Sequence, residues 1–415
     1  MAASSLRTVE SIRALEPEAA DALRILVVSP YPLDPPLHGG RVRALGIARG
    51  LARAGAVVDI LAPWVPGTAR QRRLEPRVTI RTHQMLGNVL PLLLSDRLVP
   101  ALALLSLYPR WAGPRRLLAG FAGYDIVQFE FCAQFHWSGL VPGTPQIAYS
   151  AHNVELDYHA EQPALRLFRK SFLRRIERCE RAAVRLSDIV IACSEDDADR
   201  LRVIYGELRR VIVIANGFDA GLLDFQPSHA REHARAALGF APSDRAILFV
   251  GGDAAHNRDA VRFLVRDILP ALPASTRLLV AGQAGAAAPG GHPQVRALGF
   301  VEDLRICFSA ADVAVNPVSF GSGTNIKLAE YLAAGLPTIS TPIGLRGAAH
   351  LAGEIRCVPR EEFAAALQAS PLEAVSDRSS LAHWTWDALG RQLLEYYQGL
   401  LAQMGRKDRG AMYNS

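Results

Sequence analysis

Runs of apolar residues, rich in valine and isoleucine, alternate with helical patterns along most of the chain. The first half contains them at 25–29, 57–62, 78–82, 125–129, 146–150, 188–194 and 211–215. The second half contains them at 246–251, 277–282, 295–299, 312–317, 337–341 and 355–358. The runs are apolar throughout and do not alternate with polar residues, as strands buried on both faces of a parallel sheet require. The pattern predicts an α/β protein.

The pattern of strands restarts near residue 245, after a polar stretch that contains proline (219–244). We therefore predict two Rossmann-like, doubly wound parallel-sheet domains with a linker near 216–242. A last helical pattern over 384–404 follows the second sheet. Its packed face is predicted to hold Trp386, Leu389, Leu393 and Tyr396.

The length of 415 residues also exceeds what a single hydrophobic core normally serves. Half of the residues are hydrophobic and 21% are charged, which is typical of a globular and not of a disordered chain. The predicted parts are a lead-in (1–22), an N-terminal domain (23–218), a C-terminal domain (219–378), a C-terminal helix (379–405) and a tail (406–415).

Charge and cysteine content indicate the environment of the protein. The formal net charge of +6 fits a partner with phosphates, such as a nucleotide, an anionic lipid surface or nucleic acid, and an arginine-rich composition explains it equally well. The five cysteines form no C-x-x-C pair, which predicts reduced thiols and neither disulfides nor zinc. Because the first twenty residues contain no apolar block, we expect no signal peptide and a cytoplasmic location.

Two segments are candidates for contact with a membrane. The most apolar stretch, 85–111, is interrupted by Asp96, Arg97 and three prolines, so it is not predicted to span a bilayer. It forms either two short buried helices or a surface that lies on a membrane or lines a lipid-acceptor groove. The helix predicted at 165–186 carries eight basic residues, which form a solvated face or contact an anionic surface. Nucleic acid is the least favoured partner because no aromatic stacking surface accompanies them.

Three segments carry candidate chemistry. Gly39 and Gly40 stand before the first predicted helix, where backbone N–H groups and the helix N-terminus favour an anion, although a plain connecting loop fits equally well. His152 and Asn153 follow the run at 146–150, at the sheet edge where α/β proteins bind ligands. A neutral imidazole there would support a positively charged sugar transition state, and a structural histidine is the alternative.

The third segment, 316–337, ends a strand, passes through a glycine-rich turn and enters a helix that Gly335 closes. The N–H groups of 323–325 are placed to cradle a diphosphate, and Lys327 adds positive potential. Glu330 lies nearly two helical turns further and is placed to accept hydrogen bonds from ribose hydroxyls.

With this segment the sequence resembles the family 4 retaining glycosyltransferases (glycosyl transferases group 1), which have the GT-B fold. The similarity extends from Arg24 to Tyr397. It includes the Gly39-Gly40 loop, His152-Asn153, Ser187–Ser194, Ile214–Gly217, Phe249–Gly252, Leu298–Leu304 and Gly321–Pro337.

The resemblance implies two domains that face a central cleft, with the C-terminal helix packing back toward the N-terminal domain. The N-terminal domain would bind the acceptor, and the C-terminal domain would bind the nucleotide-sugar. His152 would lie near the donor sugar, the backbone around Val301 would face the nucleobase, and Glu330 would match the second of two glutamates that the family spaces eight apart. The implied catalytic residues are His152 and Glu330. The implied donor-binding residues are Gly39, Gly40, Gly251, Gly252, Asn257, Arg258, Val301, Ser322, Gly323, Thr324, Asn325, Lys327 and Glu330.

The function that the resemblance implies is sugar transfer from a UDP- or GDP-sugar to a glycan or lipid-linked acceptor, for cell-surface polysaccharide or glycolipid. The anomeric configuration would be retained through front-side attack, with no metal and no cofactor besides the donor itself. The expected partners are the nucleotide-sugar, the acceptor and, peripherally, the cytoplasmic face of the inner membrane, but not nucleic acid.

Two positions depart from the family pattern. Ser322 stands where the first glutamate of the pair is expected, and the usual arginine and lysine after Gly251 are absent. Arg258 or Lys327 would then neutralise the diphosphate. Two alternative functions stay open: a catalytically silent nucleotide-sugar-binding partner subunit, and a sugar-nucleotide epimerase, which would need paired carboxylates.

Overall fold

A computed structural model describes residues 22–33, 39–64, 69–83, 115, 117–161, 169–321, 324–369 and 377–412. The apolar stretch predicted at 85–111, the first 21 residues, Ser322 and Gly323 lie outside the described residues, so the predictions made for them stay predictions. Within the described part of the chain, no helix combines the length and the apolar character that crossing a membrane requires.

Eight strands form the N-terminal sheet, and all but one of their pairings are parallel. They are β1 (Arg24–Val28), β2 (Val57–Pro63), β3 (Gln71–Glu75), β4 (Val78–His83), β5 (Ile126–Glu130), β6 (Gln146–Ser150), β7 (Ile189–Ala192) and β8 (Val211–Val213). Their spatial order is β3-β4-β2-β1-β5-β6-β7-β8. The strand order therefore reverses between β1 and β5, which makes the crevice beside these two strands the ligand-binding edge of a doubly wound sheet.

Six parallel strands form the C-terminal sheet in the order β11-β10-β9-β12-β13-β14. They are β9 (Arg245–Val250), β10 (Thr276–Ala281), β11 (Val295–Gly299), β12 (Val313–Asn316), β13 (Thr338–Ser340) and β14 (Arg356–Cys357). Here the order reverses between β9 and β12. The prediction of two doubly wound parallel sheets is confirmed.

Ten α-helices pack on the faces of the two sheets in the described part of the chain. They are α1 (Gly39–Arg53), α2 (Glu155–Glu161), α3 (Arg169–Leu186), α4 (Glu195–Tyr205), α5 (Arg231–Leu238), α6 (Ala255–Phe263), α7 (Arg305–Ala310), α8 (Ile326–Ala333), α9 (Phe363–Gln368) and α10 (Trp386–Met412). Glycines 39 and 40 lie inside the first turn of α1, not in a loop before it as the sequence predicts. Their N–H groups therefore belong to the donors that a helix N-terminus leaves unpaired.

The predicted linker near 216–242 contains a helix, α5, that belongs to the C-terminal domain. Its Arg235 donates hydrogen bonds to the Asp312 carboxylate (2.8 Å) and to the carbonyl oxygen of Ala310 (3.2 Å). Its buried apolar face consists only of Ala234 and Leu238, which is too short a pattern to predict a helix from the sequence.

The C-terminal helix packs back on the N-terminal domain, as the resemblance implies, and begins at Trp386. Trp386, Leu389 and Leu393 are buried on α1 and its neighbours, but the fully buried tyrosine is Tyr397 and not Tyr396. Four residues separate Leu393 from Tyr397, which keeps the latter on the same helix face.

Two glycines allow α1 and α10 to touch along their backbones. A Cβ atom at Gly50 would overlap the carbonyl oxygen of Trp386, and one at Gly390 would overlap the backbone of Gly50. We expect Gly50→Ala to lower the free energy of unfolding by about 1–3 kcal/mol, because neither backbone can move without separating the helices.

Gly399→Ala, in α10, is the matched control for Gly50→Ala. A Cβ atom at Gly399 would meet nothing within 4 Å. This variant should stabilise the protein by about 0.5–1 kcal/mol through helix propensity. Denaturant unfolding of both variants tests the prediction, which is wrong if Gly50→Ala is as stable as Gly399→Ala.

Candidate functional site

The predicted site residues collect at the edges where the two sheets reverse their strand order. On the N-terminal side, α1 follows β1 and His152 follows β6. On the C-terminal side, the loop at 251–254 and the start of α6 follow β9, and α8 follows the loop after β12. A Cβ atom at Gly39 would lie 3.5 Å from Cδ1 of Ile326, the first residue of α8. The N-termini of α1 and α8 therefore face each other across the cleft, which concentrates positive potential at one point.

Further contacts join the domains at the base of this cleft. Asn216 Nδ2 donates a hydrogen bond to the carbonyl oxygen of Thr324 (3.4 Å). Asn216 is held in turn by the buried Arg43 of α1, whose guanidinium donates to Asn216 Oδ1 (3.0 Å) and to the carbonyl oxygen of Ile214 (2.7 Å). A Cβ atom at Gly347 would overlap Thr324. The residue predicted to bind donor phosphate at 324 is thus fixed by both domains.

Lys327 connects the start of α8 to α6 and to the loop after β9. Its Nζ donates to Asn257 Oδ1 (2.9 Å), and Asn257 Nδ2 donates to the carbonyl oxygen of Gly252 (3.2 Å). The ammonium also lies 4.4 Å from the centre of the Phe249 ring, a cation–π distance. A Cβ atom at Gly251 would come within 2.8 Å of that ring, so the loop needs glycine there.

Burial shifts the pKa values of Lys327 and Glu330 toward each other. Burial lowers the pKa of Lys327 to about 7, and the nearby Glu330 carboxylate opposes the shift. Burial raises the pKa of Glu330 to about 7, and Lys327 opposes it. A phosphate bound beside Lys327 would favour the charged form of its ammonium.

Three other predicted donor residues have partners of their own. Arg258 pairs with Asp253 at the surface of the loop. Asn325, at the N-cap position of α8, donates through Nδ2 to the carbonyl oxygen of Gly344 (2.9 Å) and so braces the turn after β13. Val301 follows β11 and is partly buried against the C-terminal core. Their roles in donor binding stay predictions.

His256 belongs to the site and was not among the predicted residues. It lies in the first turn of α6, where its ring stands edge-on to Phe320 at 6.4 Å and would contact a Cβ atom at Gly321. Burial, with Lys327 and Arg258 nearby, lowers its pKa to about 4. The side chain is therefore a neutral hydrogen-bonding group at physiological pH. Its place beside Gly251 in the sequence was the available signal.

His152 is buried where β6 ends, and a carboxylate orients it. Its Nε2 is bonded to Glu130, the last residue of β5, and the Glu130 carboxylate also accepts a hydrogen bond from Gln128. Burial favours the neutral acid at Glu130, but His152 and Gln128 outweigh it and hold the pKa of Glu130 below its ordinary value. The sequence signal for Glu130 was a charged residue at the end of a strand that is otherwise apolar except for Gln128.

Phe131 follows Glu130 in a conformation that is rare for residues other than glycine, with φ of 74°. Its ring packs on that of His152, with 4.4 Å between ring centres. Left-handed backbone at a bulky residue costs free energy and occurs mainly at functional sites. The unfavourable backbone conformation of Phe131 thus places its ring against that of His152.

Two doubly wound domains, with helix N-termini that converge on a central cleft, define the architecture of GT-B glycosyltransferases. The model of Glycosyltransferase Family 4 matches residues 37–222, and the model of Glycosyl transferases group 1 matches residues 244–370. The chain belongs to this family of glycosyltransferases.

Individual proteins agree with this assignment. A D-inositol 3-phosphate glycosyltransferase from Rhodococcus erythropolis (strain PR4 / NBRC 100887) is 29% identical over 255 residues, 53% of this chain and 55% of that protein. The chain thus matches about half the length of this curated relative.

Two solved structures share the fold over nearly the whole chain. Sucrose-phosphate synthase (tll1590) from Thermosynechococcus elongatus has a TM-score of 0.60 at 18% identity, covering 95% of this chain and 100% of that one. Anabaena Alr3699/HepE in complex with UDP and glucose has a TM-score of 0.59 at 17% identity, covering 93% and 99%. The GT-B fold predicted from the sequence is confirmed.

The affinity for inorganic pyrophosphate is expected to fall, relative to that of a Lys327→Met variant, as the pH rises through about 7. Lys327 is charged below its pKa of about 7 and neutral above it, so its attraction for the anion is lost on the alkaline side. Pyrophosphate has no ribose, so Glu330 contributes no hydrogen bond to it. Calorimetric titration at several pH values measures the pyrophosphate affinity of both proteins. The ratio of the two affinities cancels the effect of pH on the charge of pyrophosphate itself. A ratio that is independent of pH would contradict the assignment.

Proposed function

We propose that the protein moves a sugar from a nucleotide-sugar, UDP- or GDP-linked, to a glycan or lipid-linked acceptor, with retention of the anomeric configuration. The observation that carries the proposal is the convergence of the α1 and α8 N-termini beside Lys327, with Glu330 further along α8. A diphosphate between the helix ends would gain unpaired N–H donors and positive potential. Glu330 would then accept hydrogen bonds from ribose.

The structure of Anabaena HepE with UDP and glucose supports a nucleotide-sugar as the donor class. We assign donor binding to the C-terminal domain and acceptor binding to the N-terminal domain, with His152 between them. In front-side attack the leaving diphosphate takes the proton of the acceptor hydroxyl, so the protein mainly has to orient the donor and stabilise charge.

The acceptor, the pathway and the place of action are further parts of the proposal. We propose that the reaction serves cell-surface polysaccharide or glycolipid synthesis at the cytoplasmic face of the membrane and needs no metal. The basic face of α3 supports contact with an anionic surface or an acceptor phosphate. Of its arginines, Arg178 is exposed, whereas Arg181 pairs with Glu177 (2.6 Å).

A thermal-shift panel of UDP, GDP and ADP, each free and with its sugars, tests the proposal first. A ligand that binds only the native state stabilises it by about 2.7 kcal/mol at one hundred times its Kd, so the base and the sugar can be ranked. NMR of the product formed from the best donor then gives the anomeric configuration. An inverted product would contradict retention. Donor binding without turnover would favour the silent partner subunit, and interconversion of donor sugars would favour an epimerase.

A further inference from the structure

A chain of buried hydrogen bonds runs from the C-terminal helix to His152. The Tyr397 hydroxyl donates to Gln128 Oε1 (2.8 Å), Gln128 Nε2 donates to the Glu130 carboxylate, and the other oxygen of Glu130 is bonded to His152 Nε2. All four side chains are buried, with at most 6% of their surface exposed. The chain therefore joins the last helix of the protein to the predicted reaction centre through the N-terminal sheet.

The donor and the acceptor of each hydrogen bond in this chain follow from the chemistry of the four side chains. The pKa of Glu130 is below its ordinary value, so Glu130 is an ionised carboxylate that only accepts hydrogen bonds. His152 must then donate through Nε2–H, and Gln128 must turn its amide nitrogen toward Glu130. Gln128 Oε1 is left to accept from Tyr397. This arrangement of protons satisfies all three bonds.

This arrangement fixes the tautomer of His152. In the neutral ring, a proton on Nε2 leaves the lone pair of Nδ1 free to accept a hydrogen bond. Nδ1 is buried and has no hydrogen-bond partner among the described residues. Phe131, held at positive φ, packs on the ring and restricts its rotation. A buried acceptor atom without a partner is costly, so its presence beside the cleft points to a ligand group that donates to it.

We propose that Tyr397, Gln128 and Glu130 are positioning residues that hold His152 in the Nε2–H tautomer, so that Nδ1 accepts a hydrogen bond from a substrate hydroxyl. The substrate class is that of the proposed function, on which this assignment rests. The C-terminal helix then contributes to catalysis through the Tyr397 hydroxyl and not only through packing.

Kinetics of matched variants test the proposal. Tyr397→Phe removes one neutral hydrogen bond and should lower kcat about two- to tenfold with little change in KM. Tyr396→Phe, one position earlier and partly buried, should leave kcat unchanged.

Glu130→Gln should lower kcat about 10- to 100-fold, because the amide offers only one acceptor atom for two donors. Combining Glu130→Gln with His152→Ala should add no further loss to that of His152→Ala, since Glu130 acts through His152.

Nitrogen-15 NMR of histidine-labelled protein provides a readout that needs no donor or acceptor. The His152 signal, assigned by its loss in His152→Ala, should show a protonated Nε2 and an unprotonated Nδ1 at alkaline pH. Glu130→Gln should convert it to a mixture of tautomers, while Tyr396→Phe leaves it unchanged. A wild-type ring protonated at Nδ1 would overturn the proposal, even if Glu130→Gln does not fold. If the tautomer is as expected but no nucleotide-sugar binds, the proposed function fails and the positioning chain stands.

Discussion

Replacing Lys327 by methionine or alanine is expected to weaken donor binding about 10- to 100-fold, the worth of one charge-assisted hydrogen bond to phosphate. Lys327 is the buried cation that ties the loops after β9 and β12 together through Asn257. Arg258, the other residue predicted to neutralise diphosphate, is paired with Asp253. Loss of Lys327 should therefore reduce donor affinity more than loss of Arg258. Isothermal titration calorimetry with the donor identified by the thermal-shift panel measures this affinity.

Methionine is close to lysine in length and keeps the apolar part of the side chain, but it leaves Asn257 Oδ1 without its donor, which lowers stability. We therefore expect Lys327→Met to fold with a lower melting temperature than the wild type, and its weak donor binding is measured well below that temperature. Lys170→Met, on the exposed surface of α3, removes the same formal charge and should bind donor normally. Equal affinities for the two variants would contradict the role of Lys327.

The sequence predicted thirteen of the fourteen strands. Most of them are buried and form apolar runs, whereas β8, β11 and β14 are partly or largely exposed. The strand that it missed, β3, has the sequence QRRLE and pairs only with β4, antiparallel, at the edge of the sheet. An exposed edge strand needs no apolar run and is protected by charge. This strand is defined by its pairing with β4, which the local sequence does not reveal.

The sequence predicted individual residues of the candidate site but not the contacts between them. Lys327 and Asn257 were both named from the sequence, yet they are 70 residues apart, and only the adjacency of β9 and β12 brings them into contact. Glu130 and Tyr397 were not named, because their importance arises from long-range bonds to Gln128 and His152. The pairing of Arg258 with Asp253 likewise depends on how the loop folds over the helix start.

Exchange of His152 for alanine is expected to lower kcat about 10²- to 10³-fold while donor affinity stays within about threefold of wild type. The expectation follows from the contacts that orient the His152 ring. The Glu130 carboxylate is bonded to Nε2, and Phe131, at positive φ, packs on the face of the ring. Neither is needed for a ring that only fills space. Because His152 is assigned to the donor sugar and not to the donor phosphates, binding and turnover should separate.

His159→Ala is the control, since His159 is equally buried in the same domain and is paired with Glu155 (3.4 Å). Both substitutions remove a buried imidazole and should lower the melting temperature, but only His152→Ala should lower kcat strongly. Initial rates with saturating donor, together with donor affinities from thermal shift, measure the separation. If the two variants lose activity to the same extent, His152 stabilises the domain and does not take part in the reaction. A selective loss of kcat would place the transition state at the end of β6, where the positioning chain from the C-terminal helix ends.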